Sequence, residues 1–418
     1  MSKNLLTRDR LWWLFWFWAG LRSALVVFMQ DDSVLFAAVD TLTTVFLGMT
    51  IILASGRLFP FRLRGISLVI LLLNGVNVVS VFTSSVYFES PLRIYTYLVN
   101  TLAWSLPALA YADTQDARAG LGKMGRAFAL GTVLLVLAPL AVEGLSGLST
   151  RYGIDELLDP NTIGFHTAVA FVFILAWIRT GLSGTLDWLL ALFFAVALLL
   201  TFSKTALVGA TAAVLLLWTL AGLREKPAQL GAQLIAITIP LLLLWGRVTN
   251  ETAAYLEDPY GDPATLSGRI PLWQIVMSLS TEHPWLGFGY GTFREVIRPY
   301  SGIWGIEIVH AHNAYLTALL QTGVVGAALT LLLAVVVLGQ AVRLVRHRRS
   351  DAARLWIALA ALVLIRSLTE GTFGAGGFEF GLLAALGVLG ERIAAEEDDR
   401  LPSTAAAGAP QQRLAEAL

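Results

Sequence analysis

Residues 11–29, LWWLFWFWAGLRSALVVFM, are apolar almost without interruption, and comparable runs recur along nearly the whole chain. A helix needs about 20 predominantly apolar residues to cross a bilayer. Lipid offers an open backbone no hydrogen-bond partner, so runs of this length and pattern cross it as helices. Candidate spans lie near 11–29, 33–54, 66–85, 92–112, 125–143, 162–179, 186–202, 205–222, 230–246, 314–341, 353–370 and 374–391. The expected fold class is therefore an all-α polytopic membrane protein with about 12 transmembrane helices, a single transmembrane domain over 1–391. Composition agrees: only 14% of the 418 residues are charged and 56% are hydrophobic, where a soluble chain carries about a quarter charged residues.

Formal net charge is zero, which argues against nucleic acid as a partner and leaves the lipid bilayer. There is no cysteine, so disulfides, thiolate metal sites and cysteine nucleophiles are excluded. The opening MSKNLLTRDR is basic and lacks a small-residue cleavage site, so a retained first span is expected rather than a signal peptide.

Lysine and arginine fix the expected orientation. Lys3, Arg8 and Arg10 open the chain; Arg57, Arg62 and Arg64 follow the second span; Arg118, Lys123 and Arg126 follow the fourth. Arg224 and Lys226 follow the eighth, and Arg343, Arg346, Arg348, Arg349 and Arg354 the tenth. The alternate loops QDD (30–32), TSSVYFESP (83–91) and SLTEGTFG (367–374) are nearly bare of them. Both termini are thus expected in the cytoplasm. Two long segments, 144–161 and about 247–313, are expected outside, the second between spans nine and ten with short amphipathic helices. The tail 392–418, rich in Ala, Glu, Asp and Pro, is expected to be cytoplasmic and disordered.

Once sidedness is set, the polar residues of the outer edge stand together. GIEIVHAHNAYLTALLQTGVVG (305–326) places His310, His312 and Asn313 at the mouth of span ten, with Asn313 as a helix N-cap. LLLTFSKTALVGA sets Lys204 beside the start of span eight, where Ser203 or Thr205 can cap. A cation next to free helix amides makes an anion site, although a lysine there can also snorkel to headgroups. Arg269 opens SGRIPLWQIVMSLS, a helix of about three turns capped by Ser267 with Leu272, Ile275, Val276 and Leu279 on one face, suited to lying flat on membrane or bundle. The following GFGYG succeeds a helix rather than a strand, so a dinucleotide fingerprint is rejected. Two cations and an imidazole that can take up a proton near neutral pH suit transfer to a hydroxyl from an anionic lipid.

Other charges have simpler expectations. Arg22 and Asp40 lie roughly 10 Å deep in spans one and two by helical rise, and are expected to pair. Arg366 and Glu370, four apart on span eleven, either neutralise each other or line the substrate mouth. Tyr152, Asp159 and Asn161 are expected in the external loop. No metal is expected; the alternative would use outer acids, yet Asp31 and Asp32 suit capping of span two, and Asp258 and Asp262 suit turns.

HNAYLTALLQTGVVG resembles the His-Asn, nine residues, Gly-x-x-Gly pattern of the bacterial O-antigen ligase and Wzy polymerase superfamily. SGRIPLW with HPWLGFGYGTF resembles the segment before it in that family, and FSKTALVGA its upstream Ser-Arg/Lys stretch; the likeness covers about 160–391. The resemblance implies a GT-C-like glycosyltransferase of the bacterial inner membrane with a periplasmic site and no metal or other cofactor. Its implied donor is a glycan on undecaprenyl diphosphate, and its acceptor another glycan or lipid A core. His312 matches the family's essential histidine, Arg269 its loop arginine, and Lys204 a position often arginine in the ligases. Lysine there lacks the two-pronged geometry of arginine, and the Ser-Lys-Thr and Ala-His-Asn versions look closer to the exopolysaccharide polymerases. The expected reaction inverts configuration, with His312 as base, Lys204 and Arg269 on the diphosphate, and Ser203, Asn313, His310, Arg366 and Glu370 around the substrate. A polysaccharide flippase or transporter is the rival, and would concentrate charge near mid-membrane.

Overall fold

The computed structural model describes residues 7–25, 33–54, 65–84, 86, 91–112, 117–143, 158–180, 184–220, 269–303, 308, 310–346, 350–370 and 378–399. Helices α1 (Arg8–Leu21), α2 (Ser33–Ala54), α3 (Gly65–Phe82), α4 (Pro91–Ala112) and α5 (Ala117–Glu143) come first. Then follow α6 (Pro160–Arg179), α7 (Thr185–Leu200) and α8 (Lys204–Thr219). After a gap in the described residues come α9 (Arg269–Ser280), α10 (Phe293–Ile297), α11 (Ala314–Val345), α12 (Asp351–Ser367) and α13 (Phe378–Asp398). The expected run 33–54 coincides with α2, whereas α5 starts earlier than expected and α13 ends later. The run 230–246 lies outside the described residues.

Among the described residues, five helical stretches are long and apolar enough to cross a membrane: Ala37–Ala54, Gly65–Phe82, Ala117–Ala141, Pro160–Arg179 and Ala314–Val345. Large apolar side chains also face outward. On α2, Leu42, Phe46, Met49 and Leu53 are about half exposed or more and recur at helical spacing. A face of that kind is stable against lipid and not against water. The chain is a multi-pass membrane protein.

Helix starts follow local chemistry. Asp159 caps α6 through the amide of Asn161, with Pro160 in the first turn. Ser203 caps α8 through Ala206, Asn313 caps α11 through Tyr315 and Leu316, and Ser350 caps α12 through Ala353. Packing is set by small residues where helices touch. A methyl on Gly20 of α1 would lie 2.8 Å from the Thr132 amide of α5, and one on Gly131 of α5 would lie 2.9 Å from the Leu21 amide. Such close approach gives backbone contact between membrane helices, which apolar side chains alone do not drive in lipid. Arg22 meets Asp40 at 2.8 Å, as expected, with the carboxylate side chain 4% exposed; the guanidinium also lies 5.4 Å from the Trp104 ring centre.

The expected span 314–341 falls within α11, which is kinked. Gly323 has φ 65° and ψ −166° inside α11. The loop after α9 docks there: the amides of Phe288 and Gly289 donate to Leu320 and Gln321, and those of Val324 and Val325 donate to Pro284 and Trp285. Irregular backbone is stable at membrane depth when protein satisfies it, and the Gly-x-x-Gly motif supplies the first residue of that break. Helices α6, α8 and α11 begin, and α12 ends, at the same end of the bundle, because their termini touch through the contacts described next.

Candidate active site

The chain leaves α12 through one further turn, with the amides of Thr369 and Glu370 donating to the Arg366 carbonyl. That turn sends the Glu370 side chain inward, where it is 5% exposed. Its Oε2 lies 3.2 Å from His312 Nδ1 and 3.9 Å from His310 Nε2. Its Oε1 lies 3.5 Å from Arg269 Nη2, while Arg269 Nη1 donates to the Thr369 carbonyl at 3.0 Å. Two residues expected at the site from distant stretches, His312 and Arg269, therefore meet on one carboxylate.

His312 is held in an uncommon backbone conformation, φ 48°, which non-glycine residues adopt at a cost of order 1–3 kcal/mol. The surroundings enforce it. The His312 amide donates to His310 Nδ1 at 3.1 Å. Asn313 caps α11 with its oxygen and donates from Nδ2 to the Leu368 carbonyl at 3.2 Å. Trp273 of α9 donates to the Ala311 carbonyl at 2.8 Å, and the Ala311 amide donates to Thr317 Oγ1 at 3.2 Å. Tyr315 and Ser367 share a hydroxyl bond at 3.2 Å. The strained residue is thus fixed from α9, α11 and α12 at once.

These bonds assign protons. His310 Nδ1 accepts, so that ring is neutral with its proton on Nε2. Its proton affinity is depressed from 6.5 to about 3 by burial and by the neighbouring His312, against the opposing pull of Glu370. Burial raises Glu370, but the His312 hydrogen bond and the positive charge of Arg366 outweigh it and hold the carboxyl at about 2 instead of 4.5. An ionised Glu370 accepts a hydrogen bond from His312 Nδ1–H, which leaves Nε2 of a ring 36% exposed as the basic nitrogen.

Arg366 helps keep the Glu370 carboxyl ionised through its charge, but its described contacts are with other groups. It reaches Glu379 Oε1 at 3.5 Å, donates to the Asn161 carbonyl at 3.2 Å, and stacks 4.3 Å from the Phe165 ring centre. Asn161 is not loop but first turn of α6; its Oδ1 accepts from Ser203 at 3.0 Å. Ser203 and Arg366 are thereby joined through one residue. Lys204 does not join the cluster: it is exposed at the start of α8 and has no hydrogen bond or ion pair among the described residues. Glu379 was not anticipated, although an acid in the apolar run GAGGFEFG is a signal of function or pairing. Asp31, Asp32, Tyr152, Asp258, Asp262 and Ser267 lie outside the described residues.

His310, His312 and Glu370 offer ligand atoms within 4.8 Å of one another, a spacing a metal ion can bridge. Arg269 already lies 3.5 Å from that carboxylate and would repel a divalent ion. The arrangement favours proton transfer beside an anion: a carboxylate–imidazole pair, a guanidinium with donors to spare, and three helix N-termini.

Residues 189–331 match the family model described as O-antigen ligase. Among curated proteins, the exopolysaccharide production protein ExoQ of Rhizobium meliloti is 29% identical over 119 residues, 27% of either chain. An O-antigen ligase of Pseudomonas aeruginosa is 24% identical over 316 residues, 69% of this chain and 72% of that protein. The match thus spans about a quarter of the first relative and most of the second. The stretch that holds Ser203, Lys204, Arg269, His310, His312 and Asn313 is thus similar to the O-antigen ligase family that its motifs resemble.

Proposed function

We propose that this protein is a membrane glycosyltransferase of surface polysaccharide synthesis, moving a glycan from undecaprenyl diphosphate to a sugar hydroxyl on the periplasmic side. The reading includes a GT-C-like, twelve-span inner-membrane topology with both termini cytoplasmic. The observation that carries it is the Glu370–His312 contact of 3.2 Å, set between Arg269 and the start of α11. His312 Nε2 takes the proton of the acceptor hydroxyl. The oxygen attacks the anomeric carbon from the face opposite the diphosphate, and the breaking carbon–oxygen bond leaves its electron pair on the diphosphate. Configuration inverts. Glu370 stabilises the imidazolium that forms and holds its orientation. Arg269 offers its remaining N–H groups to the growing charge, helped by the helix N-termini. Lys204, exposed at the first turn of α8, meets the diphosphate from the side as the lipid enters.

Replacing His312 by Ala removes the base and lowers transfer by about 10²–10⁴-fold, measured as surface polysaccharide on gels, while the protein still inserts. Normal polymer from that variant would overturn the reading. Deletion separates the two family activities. Loss of all polymer attached to core, with lipid-linked chains persisting, identifies a ligase; accumulation of single repeats identifies a polymerase.

A further inference from the structure

A cavity of about 660 Å³ lies between the start of α5, the end of α6, the start of α7 and the start of α12. Helix α12 runs from this cavity at Asp351 to the candidate active site at Ser367, about 25 Å away at 1.5 Å per residue. Helix α6 makes the same crossing from Asn161 to Thr180. The cavity therefore sits at the opposite membrane face from His312.

Its wall is apolar, built on Phe173, Ile174 and Leu190. It opens sideways, since lining residues Leu130 and Leu186 are 46% and 67% exposed on the outer helix surface. Its polar rim carries both signs of charge. Arg126 is fixed by stacking 3.7 Å from the Trp177 ring centre, which leaves its N–H edge for an acceptor. Arg118 lies alongside, 3.9 Å from Glu396. Asp187 uses Oδ2 on the Gly184 amide and Asp351 uses Oδ1 on Arg354, so each carboxylate keeps a second oxygen for a ligand.

We propose that this cavity binds the headgroup and upper chain of an aminophospholipid, a phosphodiester lipid bearing a primary ammonium, from the leaflet opposite the candidate active site. The phosphate meets Arg126 and the ammonium meets Asp187 and Asp351. An anionic headgroup would bring no cation to Asp187, which has no ion pair among the described residues, and a choline headgroup has no N–H to donate. A water-soluble zwitterion would have no use for a wall that continues into lipid-facing leucines.

The test is native mass spectrometry of the full chain in detergent, with dioleoyl phosphatidylethanolamine, phosphatidylglycerol or phosphatidylcholine added. Gly122 lines the cavity, and a Cβ added there meets no atom within 4 Å. Gly122→Leu therefore starts from open space and uses a residue that favours the helix. Gly75→Leu, equally unobstructed but on α3 away from the cavity, is the control for folding. The expected result is preferential retention of phosphatidylethanolamine by the natural chain and by Gly75→Leu, loss of it in Gly122→Leu, and a fall of about tenfold in Arg126→Gln. Equal retention of phosphatidylglycerol by the natural chain would overturn the charge pairing. Undiminished retention by Gly122→Leu would overturn the cavity as the site.

Discussion

Glu370 touches more of the candidate site than any residue singled out from the motifs, holding His312 and Arg269 within 3.5 Å. Glu370→Gln keeps its shape and removes the charge, so the imidazolium loses its stabilising partner and Arg269 its counter-ion. Transfer is expected to fall by about 10²-fold or more, read from polymer output in membranes containing equal protein. An undiminished output would show that the contact is only structural. Acid should also loosen this corner. His310 moves from 6.5 in the unfolded chain to about 3, and Glu370 from 4.5 to about 2. The unfolded chain therefore binds protons that the folded chain refuses, first through His310 below about 6.5 and then through Glu370 below 4.5. Stability is full above that range and declines as pH falls. The unfolding midpoint in detergent should drop between pH 7 and 4, and His310→Asn should flatten the upper part of that decline. An unchanged slope in the variant would place the acid sensitivity elsewhere.

At the level of helices, the break in α11 invites the sharpest substitution. The φ and ψ of Gly323 belong to glycine alone, and an added methyl would collide with the Trp285 carbonyl. Gly323→Ala should cost about 3 kcal/mol and unseat the 284–289 loop, seen as a lowered unfolding midpoint. Gly339→Ala, with open space around it on the same helix, should be neutral or slightly stabilising. What could be read from the sequence divides along the same line. Caps at Ser203 and Asn313 act on amides two or three residues on, so the local pattern contains them. The buried face of α9, Leu272, Val276 and Leu279, follows from helical period alone. The Arg22–Asp40 pair follows from depth and charge. By contrast, Glu370 and His312 are 58 residues apart, and nothing local distinguishes a span-ending acid from one turned inward. The GVVG stretch reads equally well as close helix packing, because a glycine's sequence carries no sign of its φ. Lys204 looked like a partner of Arg269 because both open helices, yet the direction of an exposed first-turn side chain is set by tertiary packing.

The whole molecule places the candidate active site and the lipid-facing cavity at opposite ends of α6 and α12, helices of 20 and 17 residues. At 1.5 Å per residue they span about 30 and 25 Å, close to the hydrocarbon thickness of a bilayer. The proposed orientation puts the His312 end in the periplasm, where a lipid-linked glycan is accessible, and the arginine-rich end in the cytoplasm. The chain has no cysteine, so single cysteines report sidedness without background. Leu368, 55% exposed beside the candidate site, and Thr180, exposed at the far end of α6, are suited to it. In cells with a permeabilised outer membrane, Leu368→Cys should react with a membrane-impermeant maleimide, and Thr180→Cys only after the inner membrane is opened. The reverse pattern would put His312 on the cytoplasmic side, away from the proposed donor, and would end the periplasmic transfer mechanism while leaving the Glu370–His312 geometry intact. Labelling of both without lysis would mean that α6 does not separate two compartments, which its length and apolar faces otherwise require.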